Sequence, residues 1–243
     1  MTNNNKIANI PILVGGLALA TFGILSIVSR DFAFQWQPVP AGVPGRVHLA
    51  VLAGALEAAA GIAILIEQSR QKALIAAAFI YLAWALLHVP VIIATPNVAN
   101  FLGVAEPAAL FLGFSLATGR AQATATRSYG FMLVVFGVSH FVYSEFTASF
   151  IPEWIPGRLF LAYFTGAAHA AAGIALLFNF AALPAALFEC AMMLSFVVLV
   201  HVPRVHAHPA DRLEWTMLLV AIALSASAAQ VAVSLQTKKT RKI

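Results

Sequence analysis

The sequence predicts an all-α, polytopic membrane protein with about eight transmembrane helices, arranged as two parallel four-helix repeats. Three observations predict this. The 243 residues are 61% hydrophobic and 9% charged, whereas a soluble domain carries about a quarter charged residues. Eight apolar runs lie at residues 10–28, 47–66, 73–94, 101–118, 130–146, 159–178, 182–202 and 213–235, each near the about 20 residues that cross a hydrocarbon core of ~30 Å. One string is also written twice, as GALEAAAGIAILI at 54–66 and GAAHAAAGIALLF at 166–178, with Glu57 in the first copy where the second has His169.

Taken in order, the short polar start MTNNNK leads into the first run. That run has no small-residue cleavage site and reads as a retained helix. The second and third runs are uninterrupted. Glu106–Pro107 interrupts the fourth and His140 the fifth. Between these two lies GRAQATATRS, residues 119–128, which is polar, small and basic and reads as a short connection. It divides the chain into residues 1–119, a linker at 120–128, and residues 129–243.

Charge placement gives an orientation. With a cytoplasmic N-terminus, the segments on that side hold Lys6, Arg70, Lys72, Arg120 and Arg127, and the tail residues Lys238, Lys239, Arg241 and Lys242. The opposite loops mix Arg30, Arg46, Arg158, Arg204 and Arg212 with Asp31, Glu145, Glu153 and Asp211. The basic excess is inside, so both termini are expected in the cytoplasm. The net charge of +5 therefore reads as a membrane signal and implies no nucleic-acid partner. The single cysteine, Cys190, excludes an internal disulfide or C-x-x-C pair.

The repeat extends beyond the opening strings. FGILSIVSRDF from Phe22 matches FGVSHFVYSEF from Phe136, VPGR at 43–46 matches IPGR at 155–158, and LLHVPV at 86–91 matches VLVHVPRV at 198–205. The offset stays close to about 112 positions, far longer than a solenoid repeat. An even number of spans per half makes the repeats parallel.

Each half places four polar residues in its apolar runs. The first holds Ser26, Glu57, His88 and Glu106, and the second holds His140, His169, His201 and Glu214. Gly54, Glu57 and Gly61 share one helix face, as do Gly166, His169 and Gly173. Small residues mark the face where membrane helices approach closely, so Glu57 and His169 are expected to point into a bundle. Ser26 and His140 follow Gly23 and Gly137 at the same three-residue spacing. At ~1.5 Å per residue, His169 and His140 lie near the midplane, and a pocket open to the outer face and holding His140, His169, His201 and Glu214 is expected.

Interhelical hydrogen bonds are one reading of these groups, at about 0.6 kcal/mol each. A bound ligand is another, because an ionisable group at mid-bilayer costs at least about 2.5 kcal/mol. No H-x-x-x-H or E-x-x-H spacing points to a metal. Paired histidines suit a haem, and a donor in an aromatic slot suits a quinone, with Phe141, Tyr143, Phe146, Tyr163 and Phe164 as expected walls. The two HVP strings, at 88–90 and 201–203, are expected to end their spans. Trp36 and Trp154 are expected in an interfacial belt, and HAHP at 206–209 in an exposed loop. No catalytic residue is assigned.

The strings FG..HF, P.W.P, YFTG..H...GI.LL and a later H.P, all between Tyr129 and about Val205, resemble the DoxX-like family of small four-helix membrane proteins. The first half keeps PGR, G..E...GIA.L and HVP but lacks HF and P.W.P. The resemblance implies a bacterial inner-membrane protein associated with a membrane oxidoreductase, and gives no list of catalytic residues. A quinone-interacting accessory subunit is the first expectation. A small-molecule permease and a packing scaffold are the alternatives.

Overall fold

The computed structural model describes residues 3–119 and 122–240, with side chains over 8–119 and 122–237. Helices joined by turns and loops make up the described residues, with no strand among them. The first half contains α1 (Asn3–Ser29), α2 (Arg46–Leu65), α3 (Arg70–Leu87), the short α4 (Val89–Ala94) and α5 (Val98–Ala117). The second contains α6 (Gln122–Val142), α7 (Ser144–Phe150), α8 (Arg158–Leu177), α9 (Ala182–Phe196), α10 (Val202–Ala207) and α11 (Arg212–Thr240). Seven segments are long and apolar enough to cross a membrane, α3 counting with α4 and α9 with α10. Taken as one span, the pair α6–α7, bent by 92°, makes an eighth.

The pairing of helices occurs twice. In the first half α1 packs along α2 and α3 along α5; in the second α6 packs along α8 and α9 along α11. The halves meet crosswise, with α1 against α11 and α5 against α6. Arg212 at the start of α11 donates from Nη2 to the Asp31 carbonyl just past α1, at 2.7 Å. The end of α1 and the start of α11 are therefore at one end of the bundle, and the described terminal ends of these helices are at the other.

Glycine explains why α1–α2 and α6–α8 are the tightest crossings. A Cβ at Gly23 would fall 2.4 Å from the Gly54 carbonyl oxygen, and one at Gly61 2.5 Å from that of Gly16. The second half has the same arrangement, with Gly137 against Gly166 at 2.6 Å and Gly173 against Gly130 at 2.5 Å. Backbones this close gain dispersion contacts that larger residues would prevent. The repeated PGR has a local cause. Gly45 (φ 70°) and Gly157 (φ 69°) take the left-handed conformation immediately before α2 and α8, which costs glycine nothing.

Several boundaries differ from the sequence reading. The expected linker at 120–128 is helical from Gln122 onward, with Ala125 and Thr126 buried; small residues made it look like a loop but are good helix surface. The fifth span ends at Val142 and turns into α7 rather than running to Phe146. Pro107 leaves α5 continuous. The first HVP ends α3, with Pro90 opening α4. Neither HVP ends its span: α3 runs on through α4 to Ala94, and at the second a π-helical turn at Val197–His201 carries the chain into α10, with Pro203 in its first turn. Trp154 is exposed as expected of a belt residue, whereas Trp36 packs against the core. Of the basic residues used for orientation, Arg120, Arg241 and Lys242, and the side chains of Lys6, Lys238 and Lys239, lie outside the described residues.

Candidate functional site

At the α6–α8 crossing, Gly137 and Gly166 bring the two backbones together, and the residue three positions after each glycine points into the same space. These residues are His140 and His169, whose rings meet edge to face with centroids 5.1 Å apart. His169 is 1% exposed. Its Nδ1 lies 2.9 Å from Oε1 of Glu189 on α9, a side chain also 1% exposed. His140 is only partly buried, and its Nδ1 lies 2.9 Å from the Thr165 hydroxyl on α8. Phe136 and Phe196 close the site, each edge-on to His169 at 5.8 and 5.9 Å, with Phe196 also stacked on His140 at 6.3 Å. A carboxylate behind one imidazole fixes which nitrogen carries the proton and leaves the other for exchange.

The α1–α2 crossing of the first half is built alike and filled differently. Glu57 occupies the position of His169 and is 1% exposed. Its Oε1 accepts from Trp84 Nε1 at 2.8 Å and from Gln37 Nε2 at 2.9 Å. Ser26, in the position of His140, is buried and donates to the Phe22 carbonyl of its own helix at 3.2 Å. Gln37 also accepts from the Ala33 amide at 2.8 Å. His88 sits on Gly103, with Nδ1 2.8 Å from the Trp84 carbonyl and Nε2 2.9 Å from that of Gln35. Glu57 and His88 thus hold residues 33–37 down on the end of the bundle.

The structure splits the expected set of four. His140 and His169 are together, but no contact joins them to His201 or Glu214. Glu214 is buried and paired with Arg204, whose guanidinium lies 4.3 Å over the Phe150 ring. His201 belongs to the π turn, and its Nδ1 is buried without a partner. Nor is Glu106 the counterpart of Glu214. It lies well inside α5 beside Trp36, whereas Glu214 is in the first turn of α11. The expected outward-open pocket is not built from this set either. The cleft at that end, about 490 Å³, lies between α7 and the start of α8 and is lined by Glu145, Ser149, Arg158 and Phe160 among others. The expected aromatic walls also change. Phe141, Phe146, Tyr163 and Phe164 are all exposed on the bundle surface, and Tyr143 receives the Ala99 amide instead.

The sequence reading missed Glu189, Tyr129, Trp84 and Gln37. Glu189 had a signal, being a lone carboxylate in the apolar run 182–202, but at the repeat offset its counterpart is Ala77 and the repeat does not point to it. Gln37 is in a loop and had none. The edge-to-face contact of His140 and His169 leaves no gap for a porphyrin plane between them, so the pair does not fit as axial haem ligands. Among the described residues no three His, Cys, Asp or Glu side chains are grouped to hold a metal ion.

Fold and site define a polytopic, all-helical membrane protein built from two like halves, one of which carries a His–His–Glu array inside the bundle. Comparison with family models, with curated proteins and with solved structures finds no match to this chain.

Proposed function

We propose that this chain is a DoxX-like accessory protein of a bacterial cytoplasmic membrane, both termini cytoplasmic, that exchanges protons with a quinone-type head group at His140 and His169. The observation that carries the reading is the array itself. Three ionisable side chains touch in sequence inside the apolar bundle, where each is expensive and marks a proton or substrate path by default. His140 is its partly buried member, and Phe141, Tyr163 and Phe164 on the same two helices are exposed at the bundle surface. A lipid-soluble ring reaches His140 from the bilayer without crossing water. Reduction of a quinone takes two electrons and two protons. The electrons come from a partner oxidoreductase, and the array supplies the protons to the quinone oxygens. The strings shared with the DoxX-like pattern and the basic excess at the terminal side support the placement.

The test is the quinone content of gently purified protein, extracted and quantified, together with binding of added decylubiquinone. Wild type is expected to retain quinone, and H140L and H169L to lose it while staying monodisperse. Wild type that neither retains quinone nor binds the added analogue sinks the reading. A reporter active only in the cytoplasm, fused after Ile243, should be bright; a dark fusion reverses the orientation.

A further inference from the structure

The repeat puts an acid and an arginine at matching points of the two halves. Asp31 in VSRDF corresponds to Glu145 in VYSEF, and Arg46 in VPGR to Arg158 in IPGR. In the first half the two residues meet. Arg46 Nη1 is paired with Asp31 Oδ1, and its Nε donates to the Val39 carbonyl at 3.3 Å. In the second half they stand apart. Among the described residues no ion pair or hydrogen bond joins Glu145 to Arg158, and neither charged group has another partner. Both line the cleft of about 490 Å³ between α7 and the start of α8.

A local difference keeps the second pair open. Residues 31–37 are non-helical and let Asp31 turn back to Arg46. Glu145 is instead fixed in the first turn of α7, with Ser149 four residues on along the same face. These two side chains line the α7 side of the cleft, and Arg158, the first residue of α8, lines the other. Ser149 donates its proton to the Phe146 carbonyl at 2.6 Å, so its oxygen keeps lone pairs for a donor.

The level of the cleft selects the source of its ligand. Arg158 begins a membrane-spanning segment, and α7 has turned 92° away from α6. The cleft is therefore at the edge of the hydrocarbon, where lipid head groups lie. Phe160 in its wall is exposed, as are Phe146 on α7 and Trp154 just before α8. Exposed aromatic rings are favoured at this level. A cation and an anion across one cleft complement a ligand that carries both charges. An anionic lipid would meet Arg158 and be repelled by Glu145. A choline group has no N–H to give to Glu145 or Ser149, whereas a primary ammonium has three.

We infer that this cleft binds the head group of phosphatidylethanolamine, with the phosphate on the Arg158 guanidinium and the ammonium on Glu145 and Ser149. The first half has no counterpart, because Asp31 and Arg46 satisfy each other. The site is separate from His140 and His169 and does not rest on the quinone reading.

The experiment is native mass spectrometry of the full-length protein, delipidated in detergent and then given phosphatidylethanolamine, phosphatidylcholine or phosphatidylglycerol with identical acyl chains. Wild type is expected to bind one phosphatidylethanolamine about tenfold more tightly than either other lipid, the effect of one charge-assisted hydrogen bond. R158Q is expected to lose that tight binding. E145Q is expected to keep the phosphate contact and lose the preference over phosphatidylglycerol. E153Q, which removes an exposed acid outside the lining residues, should match wild type, as should H140L. The altered acids and Arg158 are all exposed, so their variants are expected to stay folded by circular dichroism. Equal affinity of wild type for the three lipids overturns the site, as does wild-type preference in both R158Q and E145Q. Displacement of the lipid by excess soluble glycerophosphoethanolamine would overturn the lipid assignment in favour of a soluble zwitterion.

Discussion

Glu57 and His169 stand at the same step of the same helix crossing, each three residues after a glycine that touches the neighbouring backbone. Glu57 is bound on Oε1 by an indole and a side-chain amide, and the amide belongs to a loop that it holds in place. His169 is bound on Nδ1 by a carboxylate and faces a second imidazole. The first arrangement has donors that keep their protons, so it anchors. The second consists of groups that exchange protons, so it supports chemistry. The difference shows that a repeat can preserve a backbone crossing while its contents diverge. The crossing depends on glycine, and the contents depend on residues of a third element: Trp84 and Gln37 in one half, Glu189 in the other.

The largest expected effect breaks both halves equally. G23L and G137L place side chains where even a Cβ would lie 2.4 and 2.6 Å from a carbonyl oxygen. Overpacking of this kind costs about 1–3 kcal/mol or more, so both variants should lose monodisperse protein on size-exclusion chromatography. Survival of one alone would mean that the two crossings are not equivalent.

Next is E57A, which strands the buried Trp84 and Gln37 donors at about 1–3 kcal/mol each. It should lower the melting temperature in detergent and expose residues 30–45 to protease, with E57Q intermediate because it keeps an acceptor. H169L strands only Glu189, so its stability loss should be smaller than that of E57A although its loss of function is larger. A larger stability loss for H169L would identify the second half as the scaffold.

The ion pairs at the loop end give the smallest effects. Arg46 pairs with Asp31, whose side chain is 46% exposed, and Arg204 with Glu214, whose side chain is 4% exposed. Thermal melts should place D31N within about 0.5 kcal/mol of wild type. E214Q should cost more, since it breaks a pair in which the acid is buried. Equal costs would show that burial of Glu214 adds nothing to its pair.

The sequence alone determined an all-helical chain with seven or eight apolar segments long enough to cross a membrane, the string that is written twice, and the faces of the glycines. These follow from run length and helical period, which are properties of a segment by itself. It also placed His140 and His169 on inward faces, because each shares a face with a glycine that has to meet another helix. Tertiary structure alone decided the partners. Glu189 opposes His169 because α9 packs beside α8 in one particular register, and Glu214 turns to Arg204 because α10 returns over the start of α11. Gln37 reaches Glu57 only because a loop folds back onto the bundle. Helical period fixes where a side chain points relative to its own axis. The rotation and sliding of one helix against another come from packing across the whole interface, and no single segment encodes them.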